Sequence, residues 1–200
     1  MTSPTADFRE ELERIKRVSD MLCTAHAGLQ EKYTRRALAA ELVTLAASTW
    51  LVALVFVEPR INFHLTPPGF DPQVWVGVLS TSTFFSTILQ IRADWRGRAD
   101  GYARSLAMYA EVKRECGYLL ASGSAIIQVD CQRLLARYDM ATDVGTKIPE
   151  NVFLRYKKRH LIKVAISKHL DSHPGTSILL LRWRLWVRGN WGKGRNHPTD

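Results

Sequence analysis

Cysteine is scarce. Three residues (Cys23, Cys116, Cys131) in a chain of 200, an odd number with no C-x-x-C pair, exclude a disulfide-stapled scaffold. Reduced thiols of a cytosolic compartment are the expectation. Glycine (12) and proline (8) are too few for a collagen-like chain, and 46% hydrophobic residues exclude disorder. Residues 1–36 contain no apolar run, so no N-terminal targeting signal is expected. Catalytic signatures are missing too: there is no G-x-S-x-G and no Cys/His or paired-carboxylate constellation, and residues 189–194 lack the G-x-x-x-x-G-K-[ST] spacing. Neither an enzyme nor a cofactor is expected. Acidic residues nearly vanish from the last quarter: residues 147–200 hold 12 Lys/Arg against three Asp/Glu, whereas residues 1–146 hold 16 of each. The whole net charge of +9 therefore sits at the C-terminal end, which points to anionic lipid, nucleic acid or an acidic partner.

What the chain does have is apolar length. Its mean hydropathy of −0.14 averages two uncharged blocks with very polar flanks. Residues 42–57 carry no charge, and the block reaches back to Ala37 with Glu41 as its single charge; residues 74–91 are uncharged throughout. At about 1.5 Å per residue these blocks reach roughly 27–31 Å, the thickness of bilayer hydrocarbon. The alternative is a pair of buried helices in a soluble core. The short link holding Pro59, Pro67, Pro68, Gly69 and Pro72, with Trp50 and Trp75 toward its side, favours a transmembrane hairpin with spans at 37–57 and 73–91 and an external loop at 58–72. Lys32, Arg35 and Arg36 precede the first span and Arg92, Arg96 and Arg98 follow the second, while the link holds only Arg60, beside Glu58 and Asp71. The positive-inside rule then puts both termini in the cytoplasm.

Outside the spans the pattern is helical. Asp7 with Glu10 reads as a capping box opening a helix over 7–36, in which Phe8, Leu12, Ile15, Val18, Leu22, Ala25, Leu29 and Tyr33 form one stripe continuous into the first span. In the region 92–146 the period returns at Trp95, Ala99, Tyr102, Leu106, Tyr109, Val112, Cys116 and Leu119, breaks at Ser122-Gly123-Ser124, and resumes at Ile127, Cys131, Leu134 and Tyr138. Gly145 and Pro149 mark the next boundary, and 147–200 is the basic C-terminal part. There a helix is expected from Glu150 to about Asp171, with Phe153, Tyr156, Leu161 and Val164 on its apolar side, stopped by His173-Pro174-Gly175. The tail from Ile178 to Arg188 fits either an interfacial helix or an edge strand. The expected fold is an all-α membrane protein: a two-helix transmembrane hairpin whose long amphipathic cytoplasmic helices form a bundle, along seams within one chain or between chains.

Two groups of residues stand out. Ser80, Thr83, Thr87 and Gln90 recur along the second span, and Glu41, Thr44 and Ser48 along the first. In an antiparallel hairpin Glu41 and Gln90 share a depth, and Thr44 and Ser48 fall opposite Thr87 and Thr83. Such a stripe either lines a pore in an oligomer or forms ordinary helix–helix contact. The second group is basic: Arg155, Lys157, Lys158 and Arg159, then Arg182, Trp183, Arg184, Trp186 and Arg188. Anionic inner-leaflet lipid is the favoured partner of both, and nucleic acid is disfavoured in a membrane-tethered chain. His169 and His173 lack a third placed ligand, so no metal is expected.

This order of elements resembles the SLATT family of bacterial two-span effectors. The likeness rests on Arg92 through Glu115, which opens Arg-Ala-Asp-Trp-Arg-Gly-Arg-Ala-Asp-Gly-Tyr and closes Tyr-Ala-Glu-Val-Lys-Arg-Glu, fitting the family's Arg- and Tyr-bearing exit helix. It covers roughly residues 10–190, mostly as architecture, and residues 148–150 and 169–175 look like features of one branch. The resemblance implies an antiviral role: an inner-membrane homo-oligomer that forms a pore on a nucleotide-linked signal and kills or arrests the cell. A signalling-nucleotide synthase or another defence-system protein is the implied partner. A non-conducting membrane adaptor, recruiting a partner through its cytoplasmic helices and basic tail, is the alternative.

Overall fold

A computed structural model describes residues 4–56, 66–69, 71–121 and 128–191, with the backbone alone at 4–7, 128 and 188–191. Six helices run through them: α1 (Pro4–Phe56), α2 (Pro72–Ala93), α3 (Trp95–Ala121), α4 (Gln128–Val144), α5 (Glu150–Ser172) and α6 (Ile178–Trp191). No strand occurs among the described residues. The tail is therefore helical, since an edge strand needs a sheet to join. Most of the expected loop and the Ser122-Gly123-Ser124 break lie outside the described residues. Asp7 is one turn inside α1 rather than at its start, because the helix begins at Pro4, where a missing N–H costs nothing.

The chain divides into two compact units, one made of Met1–Ala25 and Ala107–Asp200, the other of His26–Leu106. The first is built on a cluster contributed by Leu12 and Ile15 of α1, Val112 and Cys116 of α3, and Cys131 and Leu134 of α4, with Phe8, Leu119 and Tyr138 packed around it. Arg137 bridges back to Glu111 at 3.2 Å and to Glu115. Helix α5 is held to α1 through His160, whose Nδ1 lies 3.0 Å from Thr24 Oγ1. Asp20 stands 3.9 Å from His160 Nε2 and accepts a 2.6 Å bond from Lys113 Nζ. Tyr156 is buried beside His160 on α5, but Leu161 is exposed, a correction to the expected apolar face. Leu161 lies about 140° around the helix from Tyr156, outside the arc that one neighbouring surface can cover.

In the second unit α1 and α2 run together, and α3 continues from α2 after a one-residue break. Asp71 opens α2 by accepting the Gln73 N–H at 2.8 Å, with Pro72 following it. At the far end Asp94 turns left-handed (φ 42°), and its N–H donates to the Gln90 carbonyl. Its carboxylate accepts the Gly97 N–H at 3.0 Å, so one residue both stops α2 and caps α3. A Cβ at Gly97 would stand 2.3 Å from the Asp94 carboxylate, so a larger residue there displaces the capping side chain. Asp94→Ala is expected to cost about 1–2 kcal/mol by removing the cap from a left-handed position. Asp94→Asn retains most of that stability, and faster amide exchange at Gly97 in the alanine variant alone is the check.

Candidate functional site in the apolar helix pair

Along α1, Ala37, Ala40, Thr44 and Ala47, then Leu51 and Leu54, recur at steps of three and four and are buried or half-buried. Val76, Leu79, Thr83, Ser86 and Gln90 answer from α2, all half-buried. Small side chains let the backbones approach, and polar ones then find partners across the gap. Gln90 supplies the main link: its Nε2 donates to Thr44 Oγ1, to the Ala40 carbonyl at 3.3 Å and to Ser86 Oγ at 3.5 Å. Arg96 reaches Glu41 at 3.1 Å, an exposed pair worth well under about 1 kcal/mol.

The seven residues singled out in the sequence do not form one stripe. Thr44, Ser48, Thr83 and Gln90 are half-buried, whereas Glu41, Ser80 and Thr87 are exposed. The reason is geometric. Thr83 and Gln90 are seven apart on one ridge, and Ser80 and Thr87 are seven apart on the neighbouring ridge, turned by about 60°. Every hydroxyl here except that of Ser80 has a bond on its own or the partner helix: Ser48 to the Thr44 carbonyl at 2.7 Å, Thr83 to Leu79 at 2.8 Å, Thr87 to Thr83 at 3.0 Å. Sequence reading missed Ala40 and Ser86, the two further acceptors of Gln90. A seam of steps three and four through Thr44 and Gln90 contains both.

Around this seam much of the outer surface is apolar. Leu42, Leu45, Val52 and Phe56 on α1, and Phe84, Phe85, Ile88 and Ile91 on α2, are all exposed. Both α1 and the α2–α3 run are long and apolar enough to cross a membrane, and their most apolar windows are only 6% and 0% buried.

The basic group lies in the first unit. Arg155, Lys157, Lys158 and Arg159 are exposed around the buried Tyr156 and His160. Arg182, Trp183, Arg184 and Trp186 are exposed on α6, and the Arg188 side chain lies outside the described residues. Burial pushes the Cys116 thiol up to about 11 and raises those of Cys23 and Cys131, so these sulfurs are protonated and poor nucleophiles. Among the described residues no three His, Cys, Asp or Glu side chains gather as a metal site. A shallow cavity of about 250 Å³ between α3 and α4 is lined by Glu115, Tyr118, Asp130, Arg133 and Arg137 among others. Its acids and bases balance, and Arg137 is already held by Glu115. No protein-family model, no curated protein and no solved structure matches the chain.

Proposed function

We propose that the chain is a two-span protein of the bacterial inner membrane, both termini cytoplasmic, that assembles with copies of itself and opens a pore on a cytoplasmic signal. The exposure of large apolar side chains around a polar link carries this reading: Gln90 bonds across to Thr44 and Ala40, while Leu42, Leu45, Val52, Phe84, Phe85 and Ile88 face outward. In water that arrangement exposes many large apolar side chains, whereas in a bilayer they meet hydrocarbon. The cations at the ends of the spans, Arg35, Arg36, Arg92, Arg96 and Arg98 against one in the link, set the orientation. The likeness to SLATT effectors supplies the setting, an antiviral system with a nucleotide-linked trigger, and the basic helices contribute contacts to anionic lipid.

Assembly is supported by α2. Ser80, Thr81 and Thr87, with Gly77, are exposed on its surface rather than buried against α1. Thr81 and Thr87 donate to carbonyls of their own helix, and the Ser80 hydroxyl is better placed against another copy or a water-filled lumen than against hydrocarbon. Two helices alone cannot enclose water, so the lumen requires an oligomer.

Inducible expression in bacteria tests this, with growth, membrane potential and impermeant-dye entry followed together. Ser80→Leu with Thr87→Leu is expected to return dye entry to background at unchanged membrane abundance. Leakage that persists in that double variant removes the pore-lining assignment. Intact membranes in the unaltered protein, with and without a co-expressed nucleotide synthase, move the reading to a non-conducting adaptor.

A further inference from the structure

Helix α6 packs along α5, and Leu181 is its buried residue, at 6% exposure. The opposite face is bare. At about 100° per residue, Leu179, Trp183 and Trp186 fall within one arc of roughly 60°, and Leu180 extends it. These four are exposed, Leu179 at 78% and Trp183 at 66%. Arg182 stands at one border of the arc and Arg184 at the other, both exposed. Neither is in an ion pair among the described residues, and the sequence has no acidic residue between Asp171 and Asp200. A soluble helix has no reason to expose two tryptophans and two leucines on one face. A surface that is anionic above and apolar beneath matches both the arc and its borders.

We propose that α6 is a membrane-docking helix that lies in the plane of an anionic leaflet. Leu179, Leu180, Trp183 and Trp186 enter the acyl boundary, and Arg182 and Arg184 reach sideways to lipid phosphates. This deepens the membrane reading and rests on it: a chain already held in the bilayer keeps α6 near headgroups, so two cations and four apolar side chains suffice where a free helix would need more. The partner is the phosphate of an acidic phospholipid.

The test uses the full chain in nanodiscs of phosphatidylcholine, with or without phosphatidylglycerol, on a Cys23→Ser background that leaves the buried Cys116 and Cys131 in place. An environment-sensitive fluorophore is attached at Leu179→Cys, at Gln132→Cys on the exposed side of α4, or at Phe85→Cys on the outer face of α2. Quenching by doxyl-labelled lipid is compared with quenching by aqueous iodide. The proposal expects lipid quenching at position 179 in discs with phosphatidylglycerol, and iodide quenching at 132. Adding Arg182→Gln and Arg184→Gln is expected to lower the docking equilibrium roughly 30-fold, leaving position 85 unchanged. Iodide quenching at 179 with lipid quenching at 85 overturns the docking of α6 and leaves the hairpin standing. Shielding of 179 from both quenchers means that protein covers the face, and also overturns it. An absence of lipid quenching at 85 overturns the membrane-crossing reading, whatever position 179 does.

Discussion

Val112→Asp is expected to unfold the unit that joins α1, α3 and α4. Val112 is 2% exposed and packs among Leu12, Ile15, Cys116, Cys131 and Leu134. No cation belongs to that cluster. An unpaired carboxylate there costs several kcal/mol, or forces its own protonation, against a total stability of about 5–15 kcal/mol for a small domain. Val112→Ala leaves only a small cavity and is expected to cost about 2 kcal/mol, so its fold survives. Amide exchange separates the two. Residues 107–121 and 128–144 should lose protection in the aspartate variant and keep it in the alanine variant, while α2 in detergent stays protected in both. Retained protection in Val112→Asp would mean that these helices do not hold together through this cluster.

Acid is expected to weaken the second unit through His26. The ring is 2% exposed and sits 5.8 Å from that of Tyr102, and burial lowers its pKa to about 4. The folded chain keeps His26 neutral, whereas the unfolded chain protonates it near the ordinary value of 6.5. Above that value there is no penalty. As the pH falls toward 4 the unfolded state binds a proton that the folded state refuses, so stability declines, and below 4 the loss ends. Between pH 7 and pH 5 the decline is about 2 kcal/mol. Denaturant titrations of the full chain in detergent should show it, and His26→Leu should flatten that slope. A slope unchanged by the substitution would assign the acid sensitivity to other groups.

Much of the helical layout was legible in the sequence. The periodic stripe from Phe8 to Tyr33, and the one from Trp95 to Leu119, mark positions that are buried or half-buried throughout. The boundaries of α5 were readable because Pro149 and the His173-Pro174-Gly175 turn end helices by backbone chemistry. Less legible were the polar members of the same seams. Ser19, His26 and Ser105 are all buried, although polarity alone would assign them to the surface. Spacing held the signal, since 12, 15, 19, 22, 26 and 29 continue one series of steps of three and four. Side-chain direction in the hydroxyl-rich part of α2 was not legible either. Thr83 and Thr87 differ by one turn, yet the seam with α1 takes in only the first, and that depends on where α1 lies. For the tail, leucine, tryptophan and arginine suit a helix or a strand, and no strand among the described residues offers it a sheet to join.

The discontinuity of the first unit has a consequence for synthesis. Leu12 and Val112 belong to one cluster, yet they stand 100 positions apart, with both apolar segments between them. At about 5–20 residues per second a ribosome takes roughly 5–20 s to make that stretch. During that interval the stripe through Leu12 and Ile15 waits without its partners. The nascent chain is thus most adhesive after its apolar segments are made and before its α4 is complete. A ribosome stalled near residue 106 would leave both apolar segments made and the N-terminal helix without its partners.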